Sequence, residues 1–156
     1  MATGLTVQRL LEKAIEKEIE SQHLYRELSR KMTDDTVKDA FIRLSREEEG
    51  HEQLLRKYLR GDIGDGSLSK DRVLDYKIAE YLDQPEIRPG MALKDVFLLA
   101  ANKEKAAHQF YLSLAAAHPS GGVKRLLEQL ALQELEHKQK VEFLYTEVAF
   151  PQTDGG

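Results

Sequence analysis

Apolar side chains recur along this chain at alternating spacings of four and three in four long stretches, the pattern of helices that bury one stripe in a bundle. The first stripe runs Val7, Leu11, Ala14, Glu18, Ser21, Tyr25 and Leu28, and the turn-forming Thr33, Asp34 and Asp35 follow it. The second reads Val37, Phe41, Leu44, Glu48, His51, Leu55 and Tyr58, and stops at Gly61. The third reads Leu93, Phe97, Ala100, Glu104, Ala107, Tyr111 and Leu114, ending by His118, Pro119 and the Gly121-Gly122 pair. The fourth reads Val123, Leu127, Leu130, Glu134, His137, Val141 and Leu144, with Pro151 expected to close it. These stripes predict helices over about 6–32, 35–60, 91–117 and 122–149.

The connections between the first and second helices, and between the third and fourth, are short and imply antiparallel hairpins. The middle connection, residues 61–90, is long. Gly61, Gly64 and Gly66 open it as a loop, Ser69 is placed to cap a short helix reaching about Leu82, and Pro85, Pro89 and Gly90 break the chain again. The second helix is roughly 37 Å long at about 1.5 Å per residue, and the crossover can travel that distance back. The second and third helices can therefore run parallel, which makes the expected fold an all-α, ferritin-like four-helix bundle with a long crossover.

Composition narrows what such a bundle can do. At 156 residues with 41% hydrophobic content, the chain suits one domain, 1–156, with a substantial core. It contains no cysteine, which removes disulfides, cysteine-bound zinc and iron–sulfur chemistry and leaves carboxylate and imidazole as metal donors. Acids and bases interleave to a net charge of -4 without a basic stripe, so nucleic acid is not an expected partner. No signal-like segment opens the sequence, and the longest apolar stretch, around Val96 to Ala101, is too short to span a bilayer. A cytoplasmic protein with no membrane partner is the expectation.

The charged residues on the apolar stripes carry the chemistry. Glu18, then Glu48 and His51, recur as Glu104, then Glu134 and His137, each displaced by 86 positions (104 − 18 = 86). Residues three apart share a helix face, so each Glu-x-x-His can reach one centre. Ionised carboxylates in a core are costly, and two divalent cations would balance four of them. The expected metal ligands, and with them the catalytic set, are Glu18, Glu48, His51, Glu104, Glu134 and His137. Glu20 and His23 form a third Glu-x-x-His, but they lie off the first stripe and read as surface, as do Glu16, Glu47 and Glu49. Tyr25 and Tyr111, each seven residues beyond a ligand glutamate, are placed to hydrogen-bond a metal carboxylate or simply to pack. His108 sits at the edge of the same face, with Gln22 as its counterpart in the first half, and reads as a second-layer candidate or a packed histidine. His118 reads as a loop residue.

At these residues the sequence resembles the rubrerythrin family of ferritin-like di-iron proteins along essentially its whole length. The family's glutamate seven residues before a tyrosine stands here as EIESQHLY from Glu18 and EKAAHQFY from Glu104, and its Glu-x-x-His helices as EEGH from Glu48 and ELEH from Glu134. The resemblance implies two iron ions, with manganese or zinc able to occupy the same site. It places Glu18 and His51 on one ion and Glu104 and His137 on the other, with Glu48 and Glu134 as bridges. It further implies an oxidoreductase that reduces hydrogen peroxide or activates dioxygen, associated with oxidative stress, and a homodimer.

Two departures shape that expectation. Full-length rubrerythrins look like this domain followed by a cysteine-ligated rubredoxin tail, so without cysteine the electrons are expected from a separate donor protein such as a rubredoxin. Many rubrerythrins also carry a further glutamate three residues after the first on the third helix, where this chain has Ala107; the set resembles the six-ligand arrangement of bacterioferritin. The alternative is a ferritin-like ferroxidase or iron-storage protein, and a third reading is a non-catalytic helical module with a structural metal.

Overall fold

The computed structural model describes residues 4–149. Four long helices dominate it: α1 (Val7–Lys31), α2 (Asp35–Arg60), α4 (Leu93–Ala116) and α5 (Gly122–Ala149), with a short strand β1 (Gly4–Thr6) before α1. The crossover holds β2 (Val73–Asp75) and the four-residue α3 (Lys77–Glu80). Helix ends follow local chemistry. The Thr6 side chain accepts from the Arg9 amide, Asp34 Oδ1 accepts from the amides of Thr36 and Val37, and Gly61 ends α2 with φ +82°, a conformation other side chains resist. Pro151, expected to close the fourth helix, lies outside the described residues.

The closest helix pairings are α1 with α2 and α4 with α5, two antiparallel hairpins. Their buried residues form two apolar layers. One combines Leu10 and Leu11 of α1, Leu55 of α2, Leu114 of α4 and Leu127 and Leu130 of α5. The other combines Leu28 of α1, Phe41 of α2, Phe97 and Ala100 of α4 and Val141 of α5. The N-terminal halves of α2 and α4 thus share one layer, so these helices run parallel, the ferritin-like arrangement expected from the crossover length. A polar layer lies between the two, at the level of Glu18, Glu48, Glu104 and Glu134.

The crossover differs from the expected helix between Ser69 and Leu82. Residues Val73–Asp75 instead pair antiparallel with Gly4–Thr6, Leu5 opposite Leu74, and only Lys77–Glu80 is helical. The carbonyls of Arg72 and Lys70 accept the Val7 and Gln8 amides, so the crossover satisfies donors that the first turn of α1 leaves free. Gly4 is required by this approach: a Cβ there would stand 2.3 Å from the Leu74 carbonyl oxygen. Its other end is anchored too. Asp65 accepts the Gly122 amide on its carboxylate and the Val123 amide on its carbonyl, capping α5.

His118 lies in the loop between α4 and α5, as expected, but its side chain is not a free loop side chain. It is buried just beyond α4, its Nδ1 against the Leu114 carbonyl at 2.7 Å and its Nε2 against the Tyr58 hydroxyl at 2.6 Å. A carbonyl only accepts, so Nδ1 carries the proton and Nε2 accepts from Tyr58, whose oxygen in turn accepts the Leu68 amide. None of the helices among the described residues is long and apolar enough to cross a membrane.

Candidate metal centre

Glu18 of α1, Glu48 and His51 of α2, Glu104 of α4, and Glu134 and His137 of α5 are all buried and converge between the two apolar layers. They fall into two groups, Glu18, Glu48, His51 and Glu134 in one, Glu48, Glu104, Glu134 and His137 in the other. Within each group one ligand-type atom per residue lies within 4.8 Å of every other. Glu48 and Glu134 belong to both groups. Each histidine turns Nδ1 inward, towards a shared glutamate of the opposite hairpin: His51 Nδ1 stands 2.5 Å from Glu134 Oε1, and His137 Nδ1 meets Glu48 Oε1. The two imidazoles lie nearly parallel, 5.5 Å between centroids.

Whether these residues fit a metal is decided by what their inner atoms lack. Glu18 Oε2, Glu48 Oε1, His51 Nδ1, Glu104 Oε2, Glu134 Oε1 and His137 Nδ1 are the buried side-chain atoms without a hydrogen-bond partner among the described residues. They are one from each of the six. Buried polar groups are nearly always satisfied, so six atoms that face one interior and approach only one another form a donor set for cations. The outer atoms, by contrast, are satisfied. Tyr111 donates to Glu18 Oε1 at 2.6 Å, and Tyr25 donates to Glu104 Oε1.

Burial and the mutual proximity of the carboxylates dominate the electrostatics of this set. Burial pushes the Glu48 carboxyl well up, and the charges of Glu104, Glu134 and Glu18 add to it. Glu104 is likewise pushed well up by burial and then by Glu134. Burial also acts upward on Glu18, but Glu48, His51 and Tyr111 beside it bring its carboxyl below the ordinary value. Burial alone would depress the His51 imidazole; the carboxylates of Glu134 and Glu18 carry it to about 11. Tyr25 and Tyr111 are pushed well up by burial and by the adjoining glutamate charges, so both hydroxyls keep their protons as donors.

Two residues outside the predicted set touch the histidines. Glu47 Oε2 stands 2.7 Å from His137 Nε2, and Gln133 Oε1 stands 2.6 Å from His51 Nε2. Glu47 is indeed solvent-exposed, yet its side chain reaches across from α2 to the histidine on α5, and its carboxyl is held low by that contact. The stripe pattern misses both because each stands one residue before an inward-facing glutamate and points off the seam. Their sequence signal is the 86-residue displacement itself (133 − 47 = 86).

The remaining candidates separate cleanly. His108 Nδ1 faces the Ala131 carbonyl at 2.6 Å, outside both groups, and Gln22 donates to Glu52. Glu20 pairs with Lys17 at the surface, and His23 is exposed. Both border a cleft of about 700 Å³ between α1, α4 and the end of the crossover, lined also by Ser21, Ile87, Met91 and Ala107. This cleft reaches Glu18, Glu48 and Glu134, giving the centre an approach from outside.

The rubrerythrin family model matches residues 9–83, which include Glu18, Glu48 and His51. The fold is similar to that of a Thermotoga maritima protein described as a candidate ferritin-like diiron-carboxylate protein, at 24% identity over 95% of this chain and 99% of that one, with a TM-score of 0.75. It is also similar to a hypothetical protein of Pyrococcus furiosus, at 25% identity over 96% and 94% of the two chains, with a TM-score of 0.74. No curated protein sequence matches the chain. The second half of the site, Glu104, Glu134 and His137, lies beyond the family match and rests on the internal repeat and on the geometry.

Proposed function

From a chain that is rubrerythrin-like over residues 9–83 and ferritin-like in fold throughout, we propose a non-haem di-iron oxidoreductase that reduces hydrogen peroxide or activates dioxygen. Its electrons come from a separate donor protein such as a rubredoxin. The observation that carries this reading is the pair of four-residue groups sharing Glu48 and Glu134, with six inner atoms that have no other partner. Glu18 and His51 would hold one ion and Glu104 and His137 the other, with Glu48 and Glu134, which belong to both groups, available to each. Mixed oxygen and nitrogen donors suit iron and manganese, and zinc fits the same set without redox chemistry.

Two ferrous ions bound there would supply the two electrons needed to cleave an O–O bond and, with two protons, reduce peroxide to two waters. The chain's own residues perform the rest. Tyr25 and Tyr111 each fix one oxygen of a terminal carboxylate and leave the other directed inward. Apolar layers on both sides keep bulk water from the carboxylates, which strengthens their hold on a cation. The small side chains of Ser21 and Ala107, 86 positions apart, border the cleft that reaches Glu18, Glu48 and Glu134.

The reading includes a cytoplasmic homodimer. Support for the dimer is uneven exposure: the second hairpin leaves Leu98, Leu112, Leu132 and Phe143 exposed, whereas the helices of the first leave only Ile42. The test of the chemistry is stopped-flow mixing of the di-ferrous protein with peroxide and, separately, with oxygen. Oxidation far faster than in a Glu48→Ala/Glu134→Ala variant is expected; equal rates would overturn the reading.

A further inference from the structure

The internal repeat makes the two halves of the centre chemically alike at every inner position. Glu18 matches Glu104, Glu48 matches Glu134, His51 matches His137, and the tyrosine donors Tyr25 and Tyr111 match each other, all at a displacement of 86. The likeness ends at the outer nitrogens. His137 Nε2 meets the carboxylate of Glu47 at 2.7 Å, whereas His51 Nε2 meets the carboxamide oxygen of Gln133 at 2.6 Å. Distances are alike, both partners are exposed, and both reach from the opposite hairpin. What differs is the acceptor's charge.

We infer that Glu47 makes the two metal positions inequivalent, so that the position of Glu104 and His137 binds its divalent ion more tightly than the position of Glu18 and His51. With Nδ1 facing the centre, each ring must carry its proton on Nε2 and needs an acceptor there, which both Glu47 and the Gln133 oxygen provide. A hydrogen bond to a carboxylate is charge-assisted and about twice as strong as one to a neutral oxygen. By drawing the Nε2 proton outward, Glu47 leaves more electron density on His137 Nδ1, the atom that would bind the ion, and so raises its basicity. Gln133 polarises His51 less. Glu47 is thus a positioning residue that also sets ligand strength, acting through His137 and touching no ion itself. This inference rests on the two-metal reading, but not on any particular reaction.

Zinc tests it without redox chemistry. Calorimetric titration of the metal-free protein with zinc is expected to resolve two steps. Glu47→Gln, close to isosteric, should weaken the tighter step by about ten- to a hundredfold, and Gln133→Glu should strengthen the weaker one. In the zinc-loaded protein the His137 Nε2–H proton resonance should lie downfield of that of His51. The exchange variant Glu47→Gln/Gln133→Glu should reverse that order, a result that a merely structural role for Glu47 would not produce. If two zinc ions bind but Glu47→Gln leaves both affinities and both ring-proton positions unchanged, the inequivalence is overturned and the two-metal reading stands. Binding of fewer than two zinc ions overturns both.

Discussion

Tyr111, on the second hairpin, donates its hydroxyl proton to Glu18 Oε1 on the first across 2.6 Å, and Tyr25 returns the same contact to Glu104. Each bond ties one carboxylate oxygen and leaves Oε2 free to face the centre. Each of these two glutamates is therefore aimed by a residue of the other half. Tyr111→Phe should weaken zinc binding at the Glu18 position by about ten- to a hundredfold and largely spare the other, with Tyr25→Phe as the mirror image. Competition with a chromophoric chelator measures this; unchanged zinc affinity in both variants would count against the aiming role.

Sharing of Glu48 and Glu134 between the two groups predicts unequal losses of metal. Glu18→Ala removes a donor from one group only and should leave about one ion bound per chain, whereas Glu48→Ala removes a donor from both and should leave nearly none. Elemental analysis after dialysis distinguishes the two. Equal metal content in these variants would argue against bridging.

Metal-free protein should lose stability as pH rises. Glu48 and Glu104 keep protons in the folded state above 4.5, where the unfolded chain releases them, and His51 keeps its proton between 6.5 and about 11. The folded state binds more protons across this range, so stability falls from about pH 4.5 upward. Glu18, whose carboxyl is lowered, acts oppositely and its contribution is lost only below 4.5. Metal binding requires deprotonated ligands, so the loaded protein should gain stability over the same interval. Urea midpoints at several pH values, with and without zinc, test this, and parallel slopes would contradict it.

Tyr58→Phe should destabilise the fold by about 1–3 kcal/mol, because His118 Nε2 and the Leu68 amide both lose their partner. Zinc stoichiometry should not change, since neither residue belongs to the centre. Denaturant unfolding read beside metal content checks both halves of this expectation.

Much of this protein is legible in its linear sequence. The alternating spacing of apolar residues predicts the four long helices to within about two residues at each described end, and crossover length predicts parallel α2 and α4. The same spacing identifies the six inner residues, because a charge placed on an apolar stripe must face the interior. It also rejects Glu20 and His23 for the opposite reason. These features depend on one helix at a time or on chain length, which a linear sequence records directly.

Contacts between elements that no periodicity connects arise from the packing of the whole fold. Val73–Asp75 became a strand because Gly4–Thr6 lies beside it, and local propensity cannot see a partner some seventy residues away. The His118 side chain turns from its loop into the interior, where the Tyr58 hydroxyl offers its Nε2 a donor. Glu47 is exposed by its position on α2, and its reach to His137 depends on how α2 and α5 are set against each other. Spacing along the chain sets which residues turn inward; side-chain length and helix placement set which of them meet, and which outer residue each histidine holds.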